Sequence, residues 1–152
     1  MPNPATTENV WEAIEKELFA ILGMVTAKNQ VRTVGIVYVV QDRKLYIGTG
    51  SSTWKARHVA ANPAVSMTIP IAKRIPIAPW VKIPQATITF SGRARIISGS
   101  EAPPDLLQKV FRHKADDPEF MKDNILIEVV PEGEFVTYGI GLPLIQMREP
   151  EL

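Results

Sequence analysis

The stretch Leu45–Pro63, LYIGTGSSTWKARHVAANP, decides the reading of this chain. A short apolar strand runs into small hydroxyl-bearing residues, which open a helix carrying Lys55 in its first turn. The unpaired amides at a helix start attract anions, and a lysine beside them adds a full positive charge. Thr49, Ser51, Ser52 and Thr53 place hydroxyls at the same point. Together they form a candidate phosphate seat. Lys55 can also be an ordinary solvated helix lysine, and Trp54 either packs against the protein or covers a planar ring.

The charge map bears on that seat. Residues 43–100 hold nine Lys or Arg and no Asp or Glu, residues 1–42 sum to −2, and residues 101–152 sum to −6, so the net +1 hides a basic middle. Such asymmetry produces a local field for anions. Alternatively, the acidic C-terminal third neutralises it, within the fold or across a dimer.

At 152 residues with 45% hydrophobic content, one domain with a real core is expected. There is no cysteine, which excludes disulfides, thiolate metal sites and a cysteine nucleophile. Two histidines, His58 and His113, exclude a multi-histidine metal site within one chain. No apolar run reaches the roughly 18 residues of a membrane span, and the N-terminus lacks a signal-peptide core. The expectation is a soluble, cytoplasmic protein without membrane contact.

Upstream, Thr6 or Thr7 can cap a helix reaching about Leu18, with Val10, Trp11, Ile14 and Leu18 as its apolar stripe. Phe19–Ala27 and Val31–Val40 predict strands joined by a turn at Lys28–Gln30, and a turn at Gln41–Lys44 returns the chain to Leu45–Gly48 as a three-stranded meander. Val34–Val40 is apolar on both faces and is expected to be covered on both. Downstream, Asn62–Pro63 ends the Lys55 helix and Val65–Ile71 begins a fourth strand. Residues 70–84 carry four prolines with Lys73, Arg74, Trp80 and Lys82, which reads as a lid, an interface arm or a plain surface loop. Thr87–Ile97 alternates, with Thr87, Thr89, Ser91, Arg93 and Arg95 on one face and Ile88, Phe90, Ala94 and Ile96 on the other. Helices are predicted at Pro103–His113 and from Asp117–Pro118, and strands at Ile125–Val130 and Phe135–Gly139. About six antiparallel strands with helices only in the connections indicate a small β-barrel or sandwich.

Several chemistries lack support. Gly48-x-Gly50 has no third glycine and no βαβ context, so it is not a dinucleotide fingerprint. No serine elbow accompanies the histidines, which argues against a hydrolytic triad. His113, Asp116, Asp117, Glu119 and Asp123 match no calcium loop, and no metal is expected there.

Taken together, the strand, the hydroxyl-rich turn, the helix-borne lysine and the Asn-Pro exit in LYIGTGSSTWKARHVAANPAVSM resemble the pyridoxamine 5′-phosphate oxidase-like superfamily of flavin-binding split β-barrels. VRTVGIVYVV before it and the Gly-x-Ala step of TITFSGRARII agree. The resemblance spans roughly residues 19 to 140. It implies a mainly β, six-stranded antiparallel split barrel of Greek-key type with short connecting helices, forming a homodimer with FMN at the interface. It also implies that Arg32, Thr33 and Val34 run along the ring or phosphate side, and that Gly48 and Thr49 lie near the ring. Ser52, Thr53, Trp54 and Lys55 would surround the 5′-phosphate, and Thr87 falls where oxidases often place a glutamine. Trp54 departs from the usual arginine, and the second strand carries Val37 and Tyr38 near the place of the expected lysine. LIQMREPEL at 144–152 lacks the arginine-bearing substrate motif, so vitamin B6 oxidation does not transfer. The expected function is flavin-dependent oxidoreduction of a small molecule. The alternatives are use of the deazaflavin F420, non-enzymatic binding of flavin or haem, and, less favoured, a nucleic-acid-binding barrel.

Overall fold

Tyr38 organises the barrel. In the computed structural model, which describes residues 7–72, 77–78, 80–81 and 85–140, the apolar run expected as one strand is two. Strand β2 (Val31–Val37) pairs with β1 (Phe19–Val25), whereas β3 (Val39–Gln41) pairs with β4 (Lys44–Gly50). Between them Tyr38 is buried. Its hydroxyl donates to the Ile14 carbonyl at 2.7 Å, and its backbone N–H donates to the Leu18 carbonyl at 3.0 Å. A buried phenol needs a partner, and satisfying it here takes Tyr38 out of both ladders. Burial, with the nearby Glu17 charge, also raises its pKa.

The remaining strands are β5 (Ala64–Ile71), β6 (Ala86–Ile97) and β7 (Asn124–Tyr138), and the sheet order is β2-β1-β5-β6-β7-β4-β3. All pairings are antiparallel. The two edge strands are consecutive in the chain, so the sheet curls until its margins meet at Tyr38. The expected meander is therefore two hairpins on opposite margins. At the β3–β4 turn, Asp42 and Arg43 both take positive φ (52° and 57°), the mirror-image turn that matches strand twist.

The sheet has seven strands where a six-stranded barrel is expected. Two changes that offset in number redistribute the segments: one expected strand divides at Tyr38, and the two expected over 125–130 and 135–139 are continuous as β7. Pro131 does not break β7: it keeps its place in the ladder opposite Gly92, and the register shift falls beyond it, between Thr89 and Ser91.

The barrel interior is filled by Leu22, Met24, Leu45, Ile47, Met67, Ile69, Ile88, Phe90 and Ile127, with helix α1 (Thr7–Lys16) adding Val10, Trp11 and Ile14. Leu18 does not join that stripe. It lies past the helix end and is exposed, because the chain has already turned into β1. β6 alternates as expected up to Arg95, after which Ile97 rather than Ile96 is the fully covered residue.

Helix α3 (Pro104–Phe111), a 3-10 turn (Arg112–Asp116) and α4 (Pro118–Lys122) follow β6. Leu106 of α3 joins Tyr46, Ile97, Ala102 and Leu126 in a second apolar cluster on the outside of the sheet. As expected, Asp117 caps α4, accepting from the Glu119 N–H at 3.0 Å. The outer face of β2 stays open in the single chain, which by itself covers only one face of the strand. Val31 is 74% exposed and Val37 60% exposed, while Ile36 alone of β2 is fully buried. Thr6, most of the proline-rich basic segment and residues 144–152 lie outside the described residues.

Candidate functional site at the split between β2 and β4

β3 ends its pairing at Tyr46, so Ile47–Gly50 of β4 pair only with β7. β2 in turn pairs only with β1. Two strand margins without a ladder partner therefore approach each other. The expected residues Arg32, Thr33 and Val34 lie on one margin, and Gly48 and Thr49 on the other.

Beyond β4 the chain makes a tight turn into helix α2 (Trp54–Ala61). Thr53 is its N-cap, with extended backbone (φ −67°, ψ 151°), and its hydroxyl accepts from the Ala56 N–H at 3.4 Å. The same hydroxyl donates to the Gly50 carbonyl at 2.9 Å and lies 3.1 Å from the Thr49 hydroxyl. The Ser51 N–H donates to the Asp123 carbonyl at 2.8 Å. Arg57 reaches back one turn, and its Nε and Nη2 donate to the Ser52 carbonyl at 3.2 and 2.9 Å. Among the described residues, the N–H groups of Ser52, Trp54 and Lys55 have no partner. The turn is thus held from behind while its free donors remain available to an anion.

The expected residues divide by what they present. Ser52 is exposed, Lys55 half-buried, and Trp54 45% exposed with its ring edge-on to His58 at 5.6 Å. Thr49 is buried and its hydroxyl is engaged with Thr53, so it braces the turn. Gly48 faces α3. A Cβ there would lie 2.6 Å from Val110 Cγ1 and 2.7 Å from Phe111 Cε1. On β2, Val34 packs against the core, and Arg32 shares its face by alternation, lining a groove with His58. Thr33 points to the opposite, outer face. Thr87 stands apart: it sits on β6, three strands from β2, paired with Pro70 and Tyr138.

Ion pairing settles where the basic middle is neutralised. Arg43 pairs with Glu8 at 2.7 Å, Arg93 with Glu132 at 3.2 Å and Arg95 with Glu128 at 2.7 Å. Among the described residues no carboxylate pairs with Lys28, Arg32, Lys55 or Arg57. The cations near the split are thus among those left without an ion pair. No group of three metal-ligating side chains gathers among the described residues, and no helix there is long and apolar enough to cross a membrane.

Two features were missed from the sequence. One is the role of Arg57, which clamps the Ser52 carbonyl. The other is a lock across three strands. In one register row, Tyr46, Glu128 and Arg95 come together, with Tyr46 Oη donating to Glu128 at 3.0 Å and Arg95 Nε at 2.7 Å. Burial alone would raise the Glu128 carboxyl, but the hydrogen bonds from Arg95 and Tyr46 hold it below its ordinary value. Burial and the same carboxylate push the Tyr46 phenol up to about 12. The strict β6 alternation exposes Arg95, but its partner lies 33 residues away and has no sequence signal.

A family model described as pyridoxamine 5′-phosphate oxidase matches residues 6–136. The chain belongs to that family. Solved structures of the same fold include a conserved hypothetical protein, Rv2991, from Mycobacterium tuberculosis (16% identity, 93% of this chain and 91% of that one, TM-score 0.68). A second is HutZ, the haem storage protein of Vibrio cholerae (15%, 89% and 96%, TM-score 0.68). A third is described as an F420 reductase (21%, 88% and 98%, TM-score 0.57). At these identities the likeness concerns the fold alone. A search of curated proteins finds no significant match.

Proposed function

We propose that this family member binds the FMN moiety of a flavin at the split between β2 and β4 and uses it in oxidoreduction of a small molecule. One observation carries the reading: Lys55, without a carboxylate partner, stands in the first turn of α2 beside its unclaimed N–H groups, and Arg32, equally unpaired, lines a groove with His58 of the same helix. Membership of the family supports it. The flavin, when bound, supplies the redox chemistry. The protein's part is to hold and orient it. Lys55, the Ser52 hydroxyl and the N–H groups of Trp54 and Lys55 would take the phosphate, and Arg57 and Thr49 keep that turn in shape. Arg32, Thr33 and Val34 would follow the remainder along the opposite margin. Gly48, covered by α3, contributes backbone alone. Thr87 would reach the ligand only from across a dimer.

The homodimer is part of the proposal. Leu18, Phe19, Val31 and Val37 expose apolar surface on and beside β2, and a second copy is the cover that places a flavin between subunits. The deazaflavin F420 is the second cofactor reading, favoured by the relative described as an F420 reductase. Haem is less suited, since His58 is already in contact with Trp54. A nucleic-acid track is disfavoured because Arg43, Arg93 and Arg95 are each ion-paired within the chain.

Titration with FMN and riboflavin tests the reading. FMN should bind more tightly than riboflavin, and Lys55→Ala should weaken FMN by about 1.5–3 kcal/mol, the worth of a charge-assisted contact, while leaving riboflavin unchanged. Equal loss for both ligands would remove the phosphate from Lys55.

A further inference from the structure

The groove beside the split carries more positive charge than one phosphate requires. It has a volume of about 340 Å³ and is lined by Thr26, Ala27, Lys28, Gln30, Arg32 and His58. That volume falls within the range of small-molecule sites. Its walls are the β1–β2 turn and helix α2, and neither segment contains an Asp or Glu. Lys28 and Arg32 have no ion-pair partner among the described residues. Arg32 connects two regions, lying on the margin of the split and also lining this groove. Lys28 extends the positive field away from Lys55, and the His58 ring adds a nitrogen able to donate a hydrogen bond.

Trp54 adds a second kind of contact. It sits one turn before His58 on the same helix face, with ring centroids 5.6 Å apart, and nearly half of it is open. In the single chain this large apolar ring has no packing role in either core cluster. A basic groove whose wall continues into an exposed indole suits phosphate followed by a planar base, because aromatic faces stack bases of any identity.

We propose that this groove seats the second phosphate of a dinucleotide and that Trp54 covers its base, so the chain prefers FAD to FMN. The inference rests on the flavin reading above and extends it beyond the first phosphate. Lys55 serves the phosphate nearer the flavin, with Arg32 at the junction of the split and the groove. Lys28 and His58 serve the farther one, with an interaction that weakens as salt rises.

The test is equilibrium titration of the full chain with FMN, FAD, F420 and ADP, in the wild type, in Lys28→Gln/His58→Gln and in Trp54→Leu. The substituted side chains are outside both core clusters, and a thermal melt confirms that each variant is folded. FAD should bind at least tenfold more tightly than FMN. The double variant should bring FAD to the FMN level without changing FMN, and Trp54→Leu should weaken FAD and ADP severalfold more than it weakens FMN. Equal wild-type affinities for FAD and FMN would overturn the proposal and leave the flavin reading standing, as would equal weakening of both by the double variant. F420 binding tightest of all, and lost in the double variant, would assign the groove to a carboxylate-bearing tail and overturn the dinucleotide. ADP binding that depends on Lys28 and His58, with no affinity for any flavin, would keep the diphosphate groove and remove the flavin.

Discussion

Arg57 and Thr53 hold the α2 turn by different means. Arg57 clamps the Ser52 carbonyl with two nitrogens, and Thr53 caps the helix while bonding Gly50 and meeting Thr49. Thr53→Ala should lose about 1 kcal/mol, the usual worth of such a cap, lowering Tm by about 2–4 °C for a domain of this size. FMN affinity should fall in the same variant because the donors it aligns lose their frame. A melting point equal to wild type would show the cap to be idle. Gly92 makes a different demand. A Cβ there would sit 2.9 Å from the Val130 carbonyl oxygen, and both strands are pinned by their ladders. Gly92→Ala should therefore cost about 1–3 kcal/mol as forced overpacking. Denaturant unfolding measures it.

At the scale of elements, the row Tyr46–Glu128–Arg95 fastens β4, β7 and β6 to one another. Because the Glu128 carboxyl is held below its ordinary value, its contribution is present above the unfolded-state pKa and is lost as pH falls through the lower folded value. Glu128→Gln should cost about 1–3 kcal/mol at neutral pH, toward the low end because Arg95 is largely exposed. The gap between variant and wild type should narrow in acid, and urea melts at pH 7 and pH 3 check this. The same elements show what could be read beforehand. The alternation of Thr87–Arg95 and the helix start at Thr53 were legible because both are local patterns. The break at Tyr38 was not, since IVYVV contains no turn residue and the partners that extract Tyr38 are Ile14 and Leu18. The gap expected between strands at 125–130 and 135–139 is bridged, since Pro131 and Glu132 still pair with β6 and pairing resumes at Val136.

Over the whole molecule, the charge segregation seen in the sequence is partly an internal matter. Glu8, Glu128 and Glu132, from the N-terminal helix and the last strand, neutralise the arginines distant from the split. Those nearer it keep their field, an arrangement that no count of residues along the chain distinguishes. The open apolar margin of β2 belongs to this scale too. Light scattering should report twice the 16.9 kDa of one chain, and Val37→Asp should shift the population to single chains, since a charge cannot be buried unpaired at low cost. A wild-type monomer would displace the proposed position of the flavin.

Tyr38 works as the one stitch in a seam. A barrel closed by a full ladder would have no gap to fill, whereas two wholly separate margins would be open to pairing with foreign strands. Joining them through one anchored residue fixes how far the gap can gape. Tyr38→Phe, which strands the Ile14 carbonyl, should cost about 1–3 kcal/mol and loosen the proposed flavin binding without touching any residue of the proposed site.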